Sequence, residues 1–139
     1  MKNDLSFDEL KKQLLINKNN LHEECFVFPE YFRMVAEKTA EAVSRRDFLK
    51  EEKEKLYAEL FINIKKSGEK VTDSTADSLT KSHPDYTQIV EDFLDAKKEV
   101  ELWGALKESY YQKSQMLKIL SDLFCTGYFT EMSLLRNKE

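Results

Sequence analysis

The chain has 139 residues, of which 35% are charged and 41% hydrophobic, with a net charge of −4, three glycines and two prolines. That is the length of one domain, and so few turn-forming residues exclude an all-β fold. No apolar run approaches the roughly 18 residues of a membrane span, and Met1-Lys2-Asn3-Asp4 lacks the apolar core of a signal peptide.

A soluble protein of the cytoplasm, with no membrane contact, is therefore expected. Its two cysteines, Cys25 and Cys125, read as reduced core thiols rather than a disulfide. The acidic total argues against a simple basic nucleic-acid binder but does not describe how the charge is distributed.

In chain order, Ser6-Phe7-Asp8-Glu9 forms a capping box, with Leu5 and Leu10 as a hydrophobic staple. It opens a short helix over 5–16 that carries Leu10, Leu14 and Leu15. The asparagine-rich segment Asn17 to Asn20 is a turn. A long helix then spans 20–67, and Pro29 within it is either the first residue of a new helix or a kink; a break or sharp bend is expected there. Gly68 is its stop. Between Ser44 and Lys55 only Phe48 and Leu49 are apolar, so this stretch should project beyond the core or line a cavity. Pairs such as Glu41 with Arg45, Lys50 with Glu54 and Glu51 with Lys55 support it as a solvated helix. The polar segment 69–83 is expected to be a mobile loop, with one short helical turn around Ala76 to Thr80.

The second long helix, 85–126, organises the rest. Pro84 blocks continuation from upstream, and Ile89, Ala96, Trp103, Tyr110, Leu117 and Phe124 recur seven apart along it. Gly127 supplies a left-handed stop, with Tyr128 packing back onto Leu123. Gly104 beside Trp103 suggests a close helix approach. In the tail, 128–139, Thr130 caps a last short helix. There Tyr128, Phe129, Met132, Leu134 and Leu135 form an apolar cluster that should dock, on its own domain or on a neighbouring subunit. The fold expected is a single all-α domain. Two long helices make an antiparallel hairpin, short N-terminal helices pack across one end, a short C-terminal helix follows, and oligomerisation covers the remaining apolar surface.

His22 and Cys25 could share a helix face, but no further ligands are near in sequence, so no metal is expected. There is no phosphate loop and no glycine-rich dinucleotide turn. The motifs point to no enzyme and no cofactor. Two kinds of residue could meet a nucleic acid. Tyr57, Phe61, Tyr110, Tyr111, Tyr128 and Phe129 could stack on unpaired bases, although Trp103 and Tyr110 belong to the buried column. Arg45, Arg46, Lys50 and Lys53 lie close together on the first long helix, with Lys55 beyond them and Lys65, Lys66 and Lys70 around its end.

The order of parts resembles the UvsY family, the recombination mediator proteins of T-even-like bacteriophages. The similarity covers roughly residues 5 to 127, and its sharpest points are Glu9-Leu10-Lys11-Lys12, Leu56, Leu60, Ser67-Gly68 and Trp103-Gly104. The resemblance implies a non-enzymatic, single-stranded DNA-binding homo-oligomer acting in DNA recombination, repair and replication in the host cell cytoplasm. Such a protein helps the phage recombinase displace single-strand DNA-binding protein and assemble its filament. The family places basic residues on the last turns of the long helix, where this chain has Tyr57 and Glu59. DNA binding would then rest on Lys53, Lys55, Lys65 and Lys66 with Arg45, Arg46 and Lys50. Subunit contacts would fall to Trp103 and to Tyr128, Phe129, Met132, Leu134 and Leu135. A ring repeats each basic cluster in every subunit, so an acidic monomer can still present a positive track. The competing reading is a helical structural or assembly protein that acts through protein contacts alone.

Overall fold

The structure is a computed structural model that describes residues 4–67, 70–128 and 136. Among the described residues it is all-helical, with long helices packed against each other. The elements are α1 (Phe7–Lys12), a 3-10 turn (Lys18–Asn20), α2 (Leu21–Lys65), α3 (Asp73–Ser82) and α4 (Pro84–Cys125). Residues 1–38 and 103–139 belong to one compact unit, and Thr39–Leu102 to a second.

In the first unit, α1 starts where its cap dictates. Ser6 Oγ accepts from the Glu9 amide at 3.2 Å, and Glu9 Oε2 accepts from the Ser6 amide at 2.7 Å. The helix closes after Lys12, earlier than the expected limit near 16. Its buried Leu10 meets Met34 and Val35 of α2 and Leu106 and Tyr110 of α4. Fully buried aliphatic side chains such as Leu10 and Val35 contribute about 1.5–3 kcal/mol each. Leu5, Phe7, Phe28, Tyr31, Phe32 and Trp103 close over this cluster.

No break occurs at Pro29: α2 runs through it as one helix. Proline removes only the bond its own N–H would give to Cys25, and the neighbouring Phe28, Tyr31 and Phe32 hold both sides of the position against the core. Both cysteines are free but exposed, so they are not core thiols. They lie beyond the last buried layer at Leu117 and line a cavity of about 420 Å³ with His22, Ser121 and Phe124.

The seven-residue column on α4 holds through Ala96, Tyr110 and Leu117, all buried, but fails at Phe124, which is 67% exposed. Phe124 lies beyond Leu117, the last buried residue of the column, and lines the cavity with the two cysteines. Gly127 takes φ 75°, the left-handed stop its position implies. Gly104 is not a point of close approach, because a Cβ built there would meet nothing within 4 Å. Gly104→Ala should therefore raise unfolding free energy by ~1 kcal/mol, read as a higher urea midpoint at unchanged slope. The tail residues Phe129, Met132, Leu134 and Leu135, together with Gly68 and the cap at Thr130, lie outside the described residues.

In the second unit the expected mobile loop is largely helix. Thr72 caps α3 by accepting from the Thr75 amide at 3.2 Å, and Ala76 and Thr80 are buried one turn apart. Pro84 then confines His83 to extended backbone (φ −64°, ψ 133°), which ends α3 at Ser82. Pro84 opens α4, and His83 Nδ1 accepts from the Asp85 amide at 3.1 Å as a side-chain cap. Among the described residues, the buried ones of this unit, Ala76, Thr80 and Ala96, are all small, so its core is thin.

Candidate nucleic-acid interface

The second unit carries all eight cations that the sequence singles out, from Arg45 to Lys70. Helical geometry sorts them. Arg46, Lys50 and Lys53 recur at i, i+4 and i+7, which places them on one face of α2, and Tyr57 continues the same stripe. The charged middle of α2 does not stand free, since Lys53 Nζ lies 4.5 Å from the centre of the Phe93 ring on α4. The ammonium itself sits over the ring face, a cation–π contact between α2 and α4.

Beyond Lys53 the stripe becomes aromatic. Tyr57 stacks on Phe61, with ring centroids 6.0 Å apart, and meets the Tyr86 ring edge-on at 5.8 Å. The Tyr57 hydroxyl donates to Asp77 of α3. That hydrogen bond raises the Tyr57 phenol and, with a further one from Lys81, lowers the Asp77 carboxyl, so the contact favours an ionised Asp77.

The other cations divide by partner. Arg45, Lys50 and Lys66 are exposed and have no carboxylate partner among the described residues. Arg46 pairs with its neighbour Asp47 at 2.8 Å. Lys55 pairs with Glu52 at 3.6 Å, not with Glu51 as the spacing suggested. Lys65 is held at the start of α3: it donates to the carbonyl of Val71, just before the helix, at 2.8 Å and meets Asp73 in its first turn at 2.7 Å. The structure thus brings Arg46, Lys50 and Lys53 together on one face and holds Lys65 in an internal ion pair.

The residues expected at a subunit contact separate as well. Trp103 packs within its own chain, edge-on to Phe7 at 5.0 Å. Tyr128 is exposed. Sequence reasoning missed Asp73 and Asp77 as partners of Lys65 and Tyr57, because it took their segment for a loop. The Thr72 to Thr75 cap was the available signal.

Comparison with known proteins adds no relative: no protein-family model, no curated protein and no solved structure matches this chain.

Proposed function

We propose that this protein binds single-stranded DNA as a homo-oligomer and acts as a recombination mediator, loading a phage recombinase onto DNA covered by single-strand binding protein in the host cytoplasm. The observation that carries the reading is the stripe of Arg46, Lys50 and Lys53 leading into Tyr57, Phe61 and Tyr86. Cations that track a phosphate backbone beside rings that accept bases are the two parts a sequence-tolerant single-strand site needs. The resemblance to the UvsY family supplies the mediator role and the ring-like homo-oligomer.

Charge reversal of Arg45, Arg46 and Lys50 together should abolish the mobility shift of a labelled oligothymidylate at low salt, with helical content by circular dichroism unchanged. Retention of the shift would remove the basic stripe from the site. One observation favours the purely protein-binding alternative. Leu15 and Phe26 in the first unit are 83% and 76% exposed, the kind of surface a partner covers. Absence of any shift by the unaltered protein would favour that reading.

A further inference from the structure

α3 is held in the second unit chiefly by polar contacts. Its buried residues, Ala76 and Thr80, are small, and its single large apolar residue, Leu79, is exposed. Two small side chains give little apolar hold, and ion pairs at a surface are weak and screened by salt. On one side α3 joins α4 through a single extended residue, His83.

What α3 offers α2 is negative charge. Asp73 takes Lys65, and Asp77 takes the Tyr57 hydroxyl in the middle of the aromatic group. An ammonium and a flanked aromatic ring are the side chains that a phosphate and a base would use. We infer that α3 is an internal occupant of the strand-binding surface, with the Asp73 and Asp77 carboxylates standing where phosphodiester oxygens go, and that a single strand displaces it on binding. The inference rests on the proposed function, and it explains why Lys65 is paired while Lys50 is open.

The test uses the full chain and a fluorescent oligothymidylate. Neutralising both carboxylates (Asp73→Asn with Asp77→Asn) should raise affinity about tenfold and steepen the log affinity against log salt slope by ~0.7, the value for one added phosphate contact on a single strand. Adding Lys65→Met should cancel that gain, while Lys65→Met alone should change wild-type affinity less than twofold. Glu91→Gln with Asp95→Asn, which neutralises two other exposed carboxylates of the same unit, controls for net charge. Amides of Asp73–Ser82 in the wild-type protein should exchange faster when the oligonucleotide is added. An equal gain in the control, protection of those amides by the strand, or no gain in a protein that still binds would each overturn the displacement idea alone. Failure of every variant to bind at low salt would overturn the proposed function with it.

Discussion

Replacing Lys113 by alanine or methionine is expected to lower unfolding free energy by about 3–5 kcal/mol, because it leaves a charge without its partner in a dry site. Lys113 is 3% exposed in its side chain and Glu24 16%, with their charged atoms 2.7 Å apart. The ammonium also donates to the Gln13 carbonyl at 2.6 Å, and Glu24 accepts from the Asn17 amide at 3.2 Å. One lysine on α4 therefore fastens the chain after α1, the turn before α2 and the first turns of α2. Total stabilities run to only about 5–15 kcal/mol, so this loss should show as a large drop in urea midpoint. The fluorescence of Trp103, the single tryptophan, reports the same unit. Removing both charges (Lys113→Met with Glu24→Leu) should recover most of the loss, since an apolar pair of similar volume needs no desolvation of charge. A single substitution costing under about 1 kcal/mol would show that the pair holds nothing together.

Tyr110→Ala should cost a comparable ~3–5 kcal/mol, the usual figure for deleting a buried aromatic ring. The side chain is fully buried, packs on Phe28 with centroids 6.0 Å apart, and donates its hydroxyl to the Leu10 carbonyl at 2.6 Å. Tyr110→Phe keeps the ring and strands that carbonyl, for ~1–3 kcal/mol. The two variants also differ from wild type in alkali. Burial, aided by the neighbouring Tyr31 and Glu24, pushes the Tyr110 phenol up to about 12. An unfolded phenol ionises near ~10, so the unfolded state sheds this proton first as pH rises. The contribution is intact below that value and is lost as pH climbs to about 12. Wild type should lose more stability than Tyr110→Phe across that window in urea titrations. Parallel losses would place the alkaline transition elsewhere.

Both residues show how far the sequence could be read. Tyr110 falls in a seven-residue column that periodicity makes visible, and so do Ala96 and Leu117. Capping at Ser6 and Glu9 and the left-handed Gly127 depend on neighbours in the chain, and local rules reach them. Lys113 was not legible, since a buried lysine looks like any solvated one until Glu24 and Gln13 are brought to it from about a hundred residues away. α3 was missed for a different reason. Its buried residues are Ala76 and Thr80, too small to register as an apolar stripe in a segment rich in Ser, Thr and Asp. The expected break at Pro29 is absent because its neighbours Phe28, Tyr31 and Phe32 pack against a core completed by distant Leu10 and Tyr110, which outweighs one lost backbone bond. In the candidate site the basic cluster was visible and its face was not. The i, i+4, i+7 stripe gains meaning only once Lys53 is seen over Phe93 and Lys65 against Asp73.

The most direct measurement is the affinity of the unaltered protein for a labelled oligothymidylate between about 50 and 200 mM salt. With Arg46, Lys50 and Lys53 each neutralising a phosphate, log affinity should fall against log salt with a slope of about −2 or steeper, at ~0.7 per phosphate on a single strand. Affinity that stays flat over that range, or no binding at its lower end, would contradict the account.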